Sequence, residues 1–329
     1  MLETIYVEDA VASHPRAQSI LSRFPQAAVI PVTRYGEVFN RNHQSFRLQK
    51  RKPSLILAEK QGNRVLPAPA GYGIGSGQNF YFSHVLNCLY DCRYCFLQGM
   101  YRSAHYVVFV NYEDFQDAIA STASTRPDED VYFFSGYDGD SLALDSITGF
   151  VDAFVPFFAD HPRAYLELRT KSVAVRPLLS HEPGANVVVA FSFTPVAFAN
   201  ALEHGVPPLE ARVGAMRQLA ERGYRLGLRF DPLLYSKNYQ QHYRGLFEAI
   251  FSQLDVRSLH SVSFGPLRMP RDYFQRMWKL YPEEKLFTGL DEERRMVSYP
   301  SELETAMRES CEQELKRFVP QSILFPCRP

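Results

Sequence analysis

The sequence predicts an α/β fold: a partial (β/α)6-type TIM barrel of parallel strands, preceded by an N-terminal extension and followed by a C-terminal helix. Three observations predict it. From residue 79 onward, short apolar runs alternate with segments of helical period, about six times in series. The run Asn186–Phe193 (NVVVAFSF) is almost continuously apolar, as a strand covered on both faces of a parallel sheet must be. A chain of 329 residues has no room for eight strand–helix units after that extension, but it accommodates an open, partial barrel with right-handed crossovers.

Residues 1–78 form the extension, in which little periodicity is legible. Its stretch from Arg41 to Arg64 is basic, with Arg41, Arg47, Lys50, Arg51, Lys52, Lys60 and Arg64 set against Glu59 alone. Such a cluster is either a solvated face or a nucleic-acid contact. The glycine-rich run Gly71–Gly77 lacks the spacing and the preceding strand of a dinucleotide fingerprint, and reads as a flexible lead-in. Asn79–Asn87 (NFYFSHVLN) is the first barrel strand. Asn111–Ser124 sets Phe115 and Ile119 on one helical face, and Asp130–Gly136 is a short apolar run ending in a Gly/Asp loop. Asp145–Phe158 suits a helix, Ala164–Lys171 alternates as a strand, and Asn186–Phe193 follows as the next strand. Pro208–Gly223 is an amphipathic helix closed by glycine, then come the strand Tyr224–Leu234 and the helix Gln240–Leu254. Leu259–Leu267 is a further strand, and Pro270–Leu280 a helix with proline near its start. The barrel thus spans 79–290. The remainder, 291–329, carries the helix Ser301–Lys316, packed on the barrel, and a short apolar strand, Ser322–Phe325.

Composition narrows the functional classes. Lys+Arg and Asp+Glu are 36 each, so a nucleic-acid partner has to be held by a local basic patch and not by net charge. Hydrophobic residues at 46% and charged residues at 22% suffice for a core that needs neither disulfide nor metal to fold. No run approaches the roughly 18 uncharged apolar residues of a membrane span, and the acidic first residues contain no signal-peptide core. The expectation is a cytoplasmic protein without membrane association. Three of the five cysteines, Cys88, Cys92 and Cys95, fall within eight positions, a spacing that suits a metal or cluster site and not a disulfide framework.

The pattern C-x3-C-x2-C sits where the first strand runs out into a loop, the end of a parallel strand at which chemistry gathers. Thiolates close together on one loop can wrap an iron–sulfur cluster, and three of them on a four-iron cube leave one iron open for chemistry. The competing reading is a zinc site completed by His84 as Cys₃His. Against it, zinc sites usually bring a second, distant ligand pair, and none is present.

With Tyr94 just before its last cysteine, the motif resembles the signature of the radical S-adenosylmethionine superfamily. That resemblance implies a [4Fe–4S] cluster on Cys88, Cys92 and Cys95, with the free iron chelated by S-adenosyl-L-methionine (AdoMet). One-electron cleavage would release a 5′-deoxyadenosyl radical, fed by a donor such as flavodoxin or ferredoxin. More closely, the chain resembles the spore photoproduct lyase family. The likeness rests on Cys92–Gln98 (CRYCFLQ), Val110-Asn111, Phe133 to Asp145, Arg169–Lys171 (RTK) and Phe191–Phe193 (FSF). Gly223–Gly227 (GYRLG) with Pro232, and Leu303–Met307 (LETAM), extend it. It implies a lyase that repairs UV-damaged DNA, splitting a methylene-bridged thymine dimer back to two thymines.

Carried over residue by residue, Lys171 matches the lysine that meets the AdoMet carboxylate, and Ser192 a serine near the cofactor. Asp140 and Ser141 lie on the loop after the second strand, where the methionine end of AdoMet binds in this superfamily. Asp138 beside Gly139 reads as a turn former. Two departures stand out. The family's hydrogen-donating cysteine is matched by Tyr137, and of its two assisting tyrosines one is Tyr94 while the other is Phe96. Either Tyr137 stands in as hydrogen donor, or the substrate differs from the spore lesion. Tyr94, Phe96, Tyr137 and Phe193 are expected either to line a pocket suited to stacking on an extruded base or to be plain core packing. The segment Leu290–Ser301 is shorter than the family's DNA-probing hairpin, with Arg294, Arg295 and Tyr299 as its remnants. Three readings follow: a radical enzyme on damaged DNA, the same machinery acting on RNA, a peptide or a small molecule, or a non-catalytic zinc or nucleic-acid-binding protein. Oligomeric state and the roles of Cys311 and Cys327 stay open.

Overall fold

The computed structural model describes residues 2–75, 77–292 and 295–327. The segment before the barrel is built largely around a sheet of its own. β1 (Thr4–Glu8) pairs in parallel with β2 (Ala28–Val32) and with β3 (Leu55–Ala58). These strands are four or five residues long and separated by the short helices Pro15–Ser22 and Phe46–Arg51 with their loops, too short for a period to emerge from sequence. What holds them is apolar pairing: Ile5, Val7, Leu55 and Leu57 are buried in one cluster with Tyr106 and Val108.

β4 (Val65–Pro67) lies antiparallel to β5 (Gln78–Phe82). The strand expected over Asn79–Asn87 is divided between two sheets. β5 enters the barrel, whereas β6 (Val85–Leu86) leaves it to pair with a strand the sequence reading missed. A short β7 (Asp91–Cys92) follows, and that partner is β8 (Tyr106–Phe109). The N-terminal sheet has the order β2-β1-β3-β8-β6.

Strands β9 (Val131–Phe134), β10 (Ala164–Thr170) and β11 (Val187–Ser192) come next, then the two-residue β12 (Glu203–His204). They are followed by β13 (Arg225–Leu233), β14 (Leu259–Pro266), β15 (Arg268–Pro270), β16 (Met296–Ser298) and β17 (Leu324–Pro326). The barrel sheet is ordered β17-β14-β13-β11-β10-β9-β5-β4, and every neighbouring pair from β5 to β17 is parallel. The expected C-terminal apolar run therefore supplies a further parallel strand beside β14, and the half-barrel stays open between the edges β4 and β17. Helices bury one face each against it: Phe115 and Ile119, then Phe150, Phe154 and Phe158, then Val213, Met216 and Leu219. Gly149, in the left-handed region at φ 61°, splits the expected helix Asp145–Phe158 into Asp145–Thr148 and Phe150–Ala159.

Inside the barrel an apolar sheet carries one charged knot. Glu167 of β10 and Arg229 of β13 are fully buried, with Nη2 and Oε2 2.7 Å apart. Arg169 donates Nε to Glu167 Oε1 at 3.0 Å, so the knot also fixes a guanidinium at the carboxyl end of the sheet. Burial alone would push Glu167 up, but Arg229 and Arg169 hold its carboxyl down at about 2. Among the described residues no helix is long and apolar enough to cross a membrane.

Candidate active site

A cavity of ≈ 510 Å³ opens at the carboxyl ends of the barrel strands, and all three clustered cysteines line it. Their loop is tied down at several points. Asn87, left-handed at φ 70°, donates Nδ2 to the carbonyls of Ser103 and His105 at 2.7 and 2.8 Å. β7 pairs with β12, and Arg93 N donates to Leu202 O at 2.8 Å. Gln98 Nε2 donates to Cys92 O at 2.6 Å. From the N-terminal segment, Lys50 Nζ donates to Cys88 O at 2.6 Å and to Tyr90 O at 3.0 Å.

The three thiols are free. Burial pushes all of them up, Cys88 to about 12, while Lys171 opposes the rise at Cys92 and Cys95. Among the described residues no three His, Cys, Asp or Glu side chains converge on a single-ion point. A cuboidal cluster takes each thiolate on a different iron and needs no such convergence, so the donor set and its open cavity fit an iron–sulfur centre. His84 does not complete a zinc site. It is buried, stacked on Phe150 at 3.7 Å, and pushed down to about 3 by burial.

Lys171 extends from the end of β10 into the same cavity, its ammonium 5.6 Å from the Tyr94 ring centroid. Ser192 also lines the cavity, at the end of β11. Asp140 lines the cavity and is tied down on both oxygens: Oδ1 accepts from Leu142 N, Ala143 N and Thr170 Oγ1, and Oδ2 accepts Lys171 N at 2.7 Å. It therefore places the Lys171 backbone. Ser141 is buried with its hydroxyl 2.8 Å from that of Ser135. Asp138 is more than a turn former, since it accepts the Ser83 hydroxyl across the loop.

Tyr137 lines the cavity and stacks on Tyr81 at 4.6 Å. Burial raises its phenol, with Arg169 opposing. The Tyr94 hydroxyl is engaged by Glu203 and by Thr194, the latter at 3.2 Å. Phe96 joins the wall beside Tyr273, whereas Phe193 takes the core-packing alternative, under Arg212 at 5.0 Å.

Several expectations are corrected. Tyr299 is buried and its hydroxyl accepts Tyr235 N at 3.0 Å, so it packs instead of projecting. Arg294 lies outside the described residues. Within the basic stretch Lys50 braces the cysteine loop, whereas Lys52 pairs at the surface with Glu3 at 2.9 Å and Arg64 with Asp114 at 2.7 Å. Cys311 is buried in the helix Ser301–Leu315. Cys327, just after β17, is buried behind the cavity wall: its thiol lies 3.8 Å from Oδ2 of the lining residue Asp231, and burial pushes it up to about 12. Glu203, Arg212, Arg268 and Asp231 were not legible beforehand, because nothing local in the sequence marks them.

Comparison with known proteins points one way. The spore photoproduct lyase family model matches residues 79–324. The spore photoproduct lyase of Bacillus subtilis is 24% identical over 341 residues, covering 97% of this chain and 96% of the relative. That of a Geobacillus species is 24% identical over 302 residues, covering 90% and 86%. A solved spore photoproduct lyase variant with bound AdoMet and dinucleoside spore photoproduct superposes with a TM-score of 0.87 at 18% identity, covering 100% of this chain and 98% of that one. At that identity the likeness shows the fold.

Proposed function

The chain belongs to the spore photoproduct lyase family, and we propose that it is a radical AdoMet lyase that repairs a thymine-dimer photoproduct in UV-damaged DNA. One juxtaposition carries the reading: three thiols of one loop and the Lys171 ammonium face a single cavity at the carboxyl ends of a parallel half-barrel.

In this reading Cys88, Cys92 and Cys95 hold the [4Fe–4S] cluster, and Lys171, with Ser192 nearby, receives the AdoMet carboxylate. Together, when bound, cluster and AdoMet supply one-electron cleavage of a sulfonium and hence radical chemistry at a C–H bond. The chain's own side chains shape and dry the site. The stacked Tyr81 and Tyr137 offer a ring face to an extruded base. Arg268 donates Nε to the Tyr72 hydroxyl at 2.6 Å, while its buried Nη2 has no partner among the described residues. Because Arg268 lines the cavity, its guanidinium sets a positive charge beside a pyrimidine carbonyl or a backbone phosphate. Tyr137, which lines the cavity, would give its O–H hydrogen atom to the substrate-carbon radical, leaving a tyrosyl radical to be reduced by one electron with uptake of a proton. A flavodoxin- or ferredoxin-type protein delivers the electron.

A second reading, the same chemistry on another substrate, is favoured by Phe96 and Tyr137 standing where the family pattern has a tyrosine and a cysteine. Anaerobic turnover of the reduced, reconstituted protein with AdoMet and UV-irradiated DNA separates the two. Loss of one lesion with recovery of thymine, followed by mass spectrometry, is the expected result. Formation of 5′-deoxyadenosine while every lesion persists would exclude the repair reading and keep the radical one.

A further inference from the structure

Beneath the cysteine loop two buried charges meet that no motif singles out. Glu203 and Arg212 have side chains 1% exposed each, and Arg212 Nη2 lies 3.2 Å from Glu203 Oε2. Glu203 is seated by β12, paired directly opposite Cys92 of β7. Arg212 reaches in from the helix Leu209–Arg222 and donates Nη1 to Ser192 O at 2.6 Å, so its guanidinium is held by two anchors. The other carboxylate oxygen of Glu203 accepts the Tyr94 hydroxyl and lies 3.9 Å from Lys171 Nζ. Of Glu203, Arg212 and Lys171, the lysine alone lines the cavity, with its side chain 15% exposed.

A buried carboxylate lacking a cation would draw in the nearest ammonium, because an uncompensated charge in a low-dielectric interior is costly. Arg212 answers that demand from behind. It is nearer to Glu203 than Lys171 is, more deeply buried, and fixed by a second contact. The lysine is thereby left as a positive charge facing the cavity. We propose that the Arg212–Glu203 pair reserves Lys171 for the carboxylate of an amino-acid-like ligand, with Arg212 a positioning residue that never touches that ligand. The inference rests on the cofactor reading above.

The test is AdoMet affinity of reconstituted protein by calorimetry, alongside iron and sulfide content. Arg212→Met keeps an apolar stem but removes the charge, freeing Glu203 to capture Lys171. The expected result is unchanged iron with a Kd for AdoMet raised about tenfold, the scale of one lost charge-assisted contact. Arg212→Lys restores affinity. So does the double variant R212M/E203Q, which has no carboxylate left to compete; a buried pair replaced at both ends is often tolerated. An unchanged Kd in R212M, or a double variant as weak as the single, overturns the inference. If R212M does not fold, the comparison of E203Q with R212M/E203Q decides: both must bind within about threefold of wild type, and a tenfold loss in either refutes the idea. A wild-type protein that binds no AdoMet fails the cofactor reading itself, a distinguishable outcome.

Discussion

Lys50 belongs to the basic stretch that offered itself as a nucleic-acid contact, yet its ammonium is turned onto the cysteine loop. Its Nζ reaches Cys88 O at 2.6 Å and Tyr90 O at 3.0 Å. Lys50→Met keeps the stem and removes both donors. A hydrogen bond from a charged group contributes about 1.5–3 kcal/mol. The side chain is half-buried and water can replace part of the loss, so the pair together amounts to about 2–3 kcal/mol. Both carbonyls belong to the segment that presents Cys88, so the cost falls on local opening of that loop more than on global unfolding. At 1.4 kcal/mol per tenfold change, the open loop becomes about 30- to 150-fold more populated. Chelator-driven iron release from the reconstituted protein, followed spectrophotometrically, should accelerate by that factor, with Lys50→Arg retaining most of the protection. Release from K50M within twofold of wild type would refute the brace.

Other consequences are equally direct. Glu167→Gln strands the fully buried Arg229 and should cost about 3–5 kcal/mol near neutral pH. Because Glu167 is held at about 2 against an ordinary 4.5, its contribution is present above pH 4.5 and is lost as pH falls toward 2. The gap in urea midpoint between wild type and E167Q should therefore narrow over that window, and a pH-independent gap counts against the knot. Gly99→Ala would drive a Cβ into Tyr273 O, backbone that cannot yield cheaply. It should cost about 1–3 kcal/mol and slow turnover by displacing a cavity wall, and an unaltered unfolding midpoint would contradict this. Tyr137→Phe should abolish lesion repair while 5′-deoxyadenosine still forms. Full repair in Y137F, lost on adding Cys327→Ser, would transfer the hydrogen-donor role to the thiol beside Asp231.

How much was legible followed the distance over which information is stored. The cysteine triad is local in sequence, and so are the alternating runs from Val131 to Pro266; both were readable. Gly223 ends its helix at φ 104° as its type and place suggest. The first barrel strand was misread because no glycine or proline breaks NFYFSHVLN, and only tertiary pairing tells that β5 and β6 belong to different sheets. Lys50 could not be recognised because its partners lie 38 and 40 residues away, and Tyr94 meets Glu203 across 109. For Asp140 the residue was found but its contacts were not: it caps a turn and holds the Lys171 backbone. Tyr299 and Phe193 show the converse, aromatics that look exposed or pocket-facing in sequence and are core.

The central claim is that Cys88, Cys92 and Cys95 hold a cluster whose open iron meets AdoMet beside Lys171. Iron and sulfide analysis combined with electron paramagnetic resonance of the reduced protein, with and without AdoMet, tests it most directly. The account predicts about four iron and four sulfide per chain and a spectrum that changes when AdoMet is added, with the cluster lost in Cys92→Ala. One zinc per chain, or a spectrum indifferent to AdoMet in protein with its full iron, would contradict it.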